Sequence, residues 1–199
     1  FLDPSHEPDD TCWPVPLMRS NGDTELLEQK SATFDTPAKL NDGQSGFYRT
    51  IYRGDIKTSL QQDLAANKLS PLNTLWLITD ASEAAKAGYH ATTEALELIR
   101  SIPAATTSEP LISGVLGEIA EYRTVFTESY EGFKPFVGRL IKPHLERLGI
   151  DLLPSDSIDD QLLRPAILSA ASYAGNTSVI ELALSSFHDA TSPDDLRAD

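Results

Sequence analysis

Past Tyr52 the apolar residues stop alternating and begin to recur about every 3.6 positions, and they continue so almost to the end of the chain. That change of period is the strongest constraint in the sequence. Asp55 stands where it can cap a helix carrying Ile56, Leu60 and Leu64. Ser70-Pro71 is a start signal, a hydroxyl followed by a proline at the first helical position. The helix it opens carries Leu72, Leu75, Trp76, Thr79 and Ala84 on its expected inner face, and Gly88 closes it. Ala91 to Ile102 forms a third helix, stopped by Pro103, and Ser108-Glu109-Pro110 opens a fourth through Phe126. A fifth spans Glu131 to Leu148, with Pro135 in its first turn, Pro143 as a kink and Gly149 as its end. Ser157 and Asp160 resemble a capping box for a sixth, which carries Leu162, Leu163, Ile167 and Tyr173 and ends at Gly175. Thr177 to His188 is the last, ahead of a charged tail. Amphipathic helices joined by short connections bury their apolar faces on one another, which predicts helical pairs in a superhelix or bundle.

Residues 1–52 read differently. Trp13, Val15 and Leu17 alternate, and Pro14 and Pro16 restrict that run to an edge strand because each lacks a ladder donor. Asn21-Gly22-Asp23 is a turn, Thr24 to Gln29 its return strand, and Phe34 anchors a possible short strand. Asn41-Asp42-Gly43 and Ser45-Gly46 are loop chemistry feeding Phe47-Tyr48-Arg49-Thr50-Ile51-Tyr52. That run is aromatic and β-branched, with apolar groups on both faces, and predicts a strand covered on both sides. The expected fold is therefore mainly α: a small β-sandwich remnant over 1–52, then an α-α superhelix over 53–199 built from helical pairs of the armadillo and HEAT kind.

Net charge excludes some partners. With 16 basic against 30 acidic residues, the charge of −14 opposes a phosphate backbone or an anionic membrane surface, so neither nucleic acid nor membrane is expected. Basic peptides fit better. No apolar run reaches the roughly 20 residues that span a bilayer. The single Cys12 fits a reducing compartment, and the cytoplasm is the expected location. Phe1 is not an initiator methionine, and the chain reads as cut from a longer protein.

Chemistry-bearing residues are sparse. His6, His90, His144 and His188 are scattered through unrelated segments, with no metal-ligand spacing. Cys12 lacks a local partner base and is expected to be buried beside Trp13. Arg53-Gly54-Asp55 reads as a strand-to-helix turn, and Asn176-Thr177-Ser178 as a helix cap rather than a glycosylation site. Arg49 lies in an apolar run and Asp80 lies mid-helix, so each needs a partner if buried. Phe47, Tyr48, Arg49, Asp80 and Arg164 are the candidates for a structural seam between the two parts.

Trp13-Pro14-Val15-Pro16-Leu17 followed by Asn41-Asp42-Gly43-Gln44-Ser45-Gly46-Phe47-Tyr48-Arg49 resembles the C-terminal region of the M1 zinc aminopeptidases, the aminopeptidase N-like group. Leu77-Ile78-Thr79-Asp80 with Ala84-Ala85-Lys86-Ala87-Gly88 resembles that family's first long helix, with Ser82 where an aromatic is usual. Leu163-Arg164, Ala171 and Gly175-Asn176 resemble a later helix pair. Phe1-Leu2 resembles a preceding strand, and Asp194 to Arg197 a turn into further helices. The resemblance implies a non-catalytic region: the end of a small β-sandwich, then part of a helical domain covering the active-site cleft and restricting peptide access. It implies the catalytic domain of the same polypeptide as partner, and peptides as the parent's substrates. The family's zinc is held by His-Glu-x-x-His and a downstream Glu. Here the one His-Glu pair, His6-Glu7, is followed by Pro8 and by Asp10, so no catalytic residue, metal ligand or cofactor is expected in this chain. The alternative is a stand-alone helical-repeat module that binds other proteins.

Overall fold

A computed structural model describes residues 12–126 and 131–192, and the expected features at 1–11 and 193–199 lie outside them. The chain is mainly helical, with a small sheet at its N-terminal end. Strands β1 (Val15–Met18) and β2 (Thr24–Leu27) pair antiparallel, Val15 opposite Leu27 and Met18 opposite Thr24, around the Asn21-Gly22-Asp23 turn. A single bridge joins Arg19 to Leu40. Seven helices follow among the described residues: α1 (Gly54–Ala65), α2 (Pro71–Lys86), α3 (Thr92–Arg100), α4 (Glu109–Val125), α5 (Phe133–Leu148), α6 (Ile158–Tyr173) and α7 (Thr177–Asp189).

Most of the boundary chemistry is as expected. The Ser70 hydroxyl accepts from Asn73 N at 3.2 Å, Ser157 from Asp160 N at 3.1 Å, and Asn176 Oδ1 from Val179 N at 3.1 Å, each satisfying a free first-turn donor. Gly88 adopts φ 78° just past α2, a left-handed stop that a Cβ would strain. The start of α1 departs from expectation. Its cap position is Arg53, with no side-chain cap bond, and Asp55 sits inside the first turn, where its charge meets the positive end of the helix dipole. Pro143 and Pro165 both lie inside helices that continue through them.

α2 packs on α3 and α4, α4 on α6, α5 on α6, and α6 on α7. One continuous core results, centred on Leu64, Ile78, Ile99, Val115, Val137, Leu163 and Ile167. The expected inner face of α2 is corrected here. Leu72 and Trp76 are exposed, while Thr74, Leu77, Ile78 and Ser82 are buried. Because α2 is covered by α3 on one side and α4 on another, the buried set spreads round the helix, and the spacing of the bulkiest residues does not identify it. Leu162 of α6 is likewise exposed rather than inward.

The expected strand at Phe47–Tyr52 is absent. Residues 48–53 run without a ladder partner, and Phe47 is fully exposed rather than covered. Phe34 lies in no strand; the Arg19 guanidinium sits over its ring, 4.5 Å from the centroid. Trp13 falls outside β1 and is exposed, so it does not bury the half-buried Cys12. No helix among the described residues is long and apolar enough to cross a membrane.

Candidate functional site

Asp80, midway along α2, is only 3% exposed. A carboxylate that deep needs charge-assisted partners, and the 41–52 segment supplies them. Thr50 donates twice to Oδ2, from its backbone N at 2.9 Å and from its hydroxyl at 2.8 Å. Arg49 Nη1 donates to Oδ1 at 3.3 Å, and Nη2 lies 3.8 Å from Glu83 Oε2. The Arg49 side chain is 51% exposed, so water screens its contribution and the two Thr50 bonds carry more of the hold.

The segment that presents Thr50 is shaped by Asn41. Asn41 adopts φ 52°, a left-handed conformation that Asn tolerates. Its Oδ1 accepts from Gly46 N at 2.8 Å, and its Nδ2 donates to Gly46 O at 3.1 Å and Tyr48 O at 3.2 Å. Tyr48 Oη accepts from Asn41 N at 2.9 Å, and Tyr52 Oη accepts from Leu40 N at 2.9 Å while donating to Leu40 O at 3.1 Å. Burial holds the Tyr52 phenol above its ordinary pKa, with its hydrogen bonds to Thr50 and Leu40 offsetting part of the rise. Gly46 has no room for a side chain: a Cβ there would collide with the Tyr48 ring and the Met18 methyl. Further along, Gly43 N donates to Asn73 Oδ1 at 3.3 Å and Asn73 Nδ2 to Asp42 Oδ1 at 2.9 Å, so the segment is fixed to α2 near its start as well as at Asp80. Beneath it the buried Lys39 ammonium donates to Leu40 O at 3.1 Å and Asn41 O at 3.3 Å. Burial lowers its pKa, against the opposing pull of Asp42 and Asp80.

Arg164 does not join this group. It lies in α6, 3% exposed, where Nε and Nη2 donate to Leu148 O, the last residue of α5, at 3.3 and 2.9 Å. Nη1 stands 2.7 Å from Asp156 Oδ2, close as an ion pair but out of line for a hydrogen bond. The Arg164 guanidinium holds the Asp156 carboxyl below its usual range, and Leu153 N, donating to Oδ2 at 2.6 Å, adds to the effect.

Of the sequence candidates, then, Arg49 and Asp80 meet directly, Tyr48 shapes the segment beside them, Phe47 faces solvent, and Arg164 belongs to the α5–α6 junction. Thr50, Asn41 and Asp156 carry bonds that sequence reasoning missed. The signal for Thr50 was its place beside Arg49, on the opposite face of the run. Ser82, where the resemblance expects an aromatic, is fully buried and accepts the Tyr122 hydroxyl of α4 at 2.9 Å. Lys86 meets Glu83 at 2.7 Å, Glu118 at 3.9 Å and Glu121. Burial alone would lower its pKa, but these carboxylates outweigh it and hold the ammonium above its ordinary value. Among the described residues no three His, Cys, Asp or Glu side chains come together to hold a metal, and His6 lies outside them.

The family profile of the ERAP1-like C-terminal domain matches residues 38–199. The chain belongs to the ERAP1-like C-terminal domain family. The match takes in the segment fixed to α2 together with all seven helices. Relatives of this domain include aminopeptidase 2 of Candida albicans, 28% identical over 192 residues that cover 90% of this chain and 21% of that protein. The alanine/arginine aminopeptidase of Saccharomyces cerevisiae is 28% identical over 94% of this chain and 23% of its own length. Aminopeptidase N of Lactococcus lactis is 27% identical over 82% of this chain and 21% of its own. The ERAP1-like chain thus spans about a fifth of the length of these aminopeptidases.

Proposed function

We propose that this chain is the accessory, non-catalytic C-terminal region of a larger zinc aminopeptidase that releases N-terminal residues from peptides. Its helices cover the active-site cleft and limit access to peptides and unfolded termini, and the acidic surface favours basic substrates. The carrying observation is the pairing of an ERAP1-like match over residues 38–199 with a sequence that has no His-Glu-x-x-His. In this reading the zinc and the chemical step belong to the catalytic domain of the parent. The role of this chain is positional: Asp80, Thr50 and Arg49 fix the 41–52 segment to the first long helix of the lid. The single free Cys12 supports a cytoplasmic setting for the parent.

The test is twofold. Reading the gene upstream of Phe1 is expected to reveal His-Glu-x-x-His in the same frame. The purified chain, incubated with zinc, is expected to leave aminoacyl chromogenic substrates intact. A frame that starts near Phe1, or turnover by the chain alone, overturns the reading.

A further inference from the structure

A cavity of about 300 Å³ opens between the end of α3, α4 and α5, away from the Asp80 segment. Its floor is apolar, built from Leu116 of α4 and Phe136 and Leu140 of α5 among others. Among the described residues three ionisable side chains line it: Arg100 at the end of α3, and Arg139 and His144 of α5. No carboxylate among the described residues lines it, although the chain carries 30 acidic residues. Both arginines are exposed, and neither pairs with an acidic group among the described residues, whereas Arg49, Arg147 and Arg164 each do. His144 is the third unusual feature. It is 4% exposed and has no hydrogen-bond partner among the described residues. Its ring nitrogens are not among the fully buried atoms left without a partner, so they keep contact with water at the cavity and stay open to a bound group.

An apolar, partly enclosed space of this size with a few convergent polar groups is the usual form of a small-molecule site. The polar groups here are of one kind. Guanidinium groups match carboxylates in shape and charge, and a neutral imidazole can donate one further N–H. We propose that this cavity binds small amphipathic carboxylates, the head group held by Arg100 and Arg139 beside His144 and the hydrocarbon portion laid against Leu116, Phe136 and Leu140. Burial, with the nearby Arg147 charge, keeps His144 below its ordinary pKa, so near neutral pH the ring is uncharged and able to act as that donor. A short polar anion leaves the apolar floor unused. A neutral chain of equal length leaves the arginines unused.

Titration of the full 199-residue chain with octanoate, octan-1-ol and acetate, followed by the imidazole resonances of His144, tests this. Octanoate is expected to shift those resonances saturably and to bind at least tenfold more tightly than either control. The double variant Arg100→Gln, Arg139→Gln changes only exposed side chains. It is expected to keep the wild-type melting temperature while octanoate affinity falls to the level of octan-1-ol. Equal binding of octanol and octanoate by the wild type overturns the proposal. So does an undiminished octanoate affinity in the double variant, or saturable octanoate binding that leaves the His144 resonances unmoved.

Discussion

Asp80 and Arg164 are two buried charges of opposite sign, each midway along a helix, each 3% exposed, and each gripping a stretch of chain outside its own helix. They differ in what they grip and in how replaceable the partners are. Asp80 accepts from a neighbouring segment, and its ionic partner, Arg49, is half in water. Arg164 donates inward to the terminal carbonyl of α5, which has no helical donor, and pairs with Asp156 of the α5–α6 connection. One charge holds a strip against the outside of a helix. The other closes the end of a helix within the core. The second arrangement has fewer routes to solvent, so its loss should cost more.

Arg164→Ala removes two donors from the Leu148 carbonyl and the ion-pair partner of Asp156, and should destabilise the fold by about 3 kcal/mol, read from the urea midpoint at constant m-value. Asp80→Ala strands the Thr50 N–H and hydroxyl but lets Arg49 swing into water, so about 2 kcal/mol is expected. Its signature is faster amide exchange at Thr50, with the α5–α6 junction unchanged. If Asp80→Ala costs more than Arg164→Ala, the ranking of the two sites is wrong. Tyr122→Phe leaves the buried Ser82 hydroxyl without its donor and should cost about 1 kcal/mol by thermal or chemical unfolding. Arg49→Ala should cost under about 1 kcal/mol, because an exposed partner adds little to a carboxylate already bonded twice by Thr50. A larger effect would move the weight of that site from Thr50 to Arg49.

The smallest expected difference is in acid. Arg164 and Leu153 depress the Asp156 pKa in the folded state. Stability from this group is therefore complete above the unfolded carboxylate pKa and is lost as pH falls through the lower folded value. Urea midpoints below about pH 4 should fall more steeply for the wild type than for Arg164→Ala. Parallel curves would remove the ion pair from the account of the junction.

Much of the helical part was readable because its signals are local. Ser70-Pro71, Ser157 with Asp160, Gly88 and Gly149 act through bonds and dihedrals within a few residues. The need of Arg49 and Asp80 for partners was readable too, since an isolated buried charge is expensive wherever it lies. Phe47 to Tyr52 was misread for a tertiary reason. Its residues favour a pleated strand, but a strand needs a ladder partner. Here Thr50 N goes to a carboxylate, while the Tyr48 and Tyr52 hydroxyls serve the backbone at Asn41 and Leu40. The inner face of α2 was hidden by a similar cause: Leu72 and Trp76 form a plausible i, i+4 stripe, yet the neighbours that decide burial come from α3 and α4.

The two fastenings on α2, at Asn73 and at Asp80, have a mechanical consequence. They are seven residues apart, about 10 Å along the helix axis. A strip pinned once can swivel about its pin. Pinned at two places along a rod, it can neither swivel nor slide, and its heading is set as well as its position. Whatever is joined to the far side of that strip inherits the direction of α2, and releasing either pin alone would return one rotational degree of freedom without letting go.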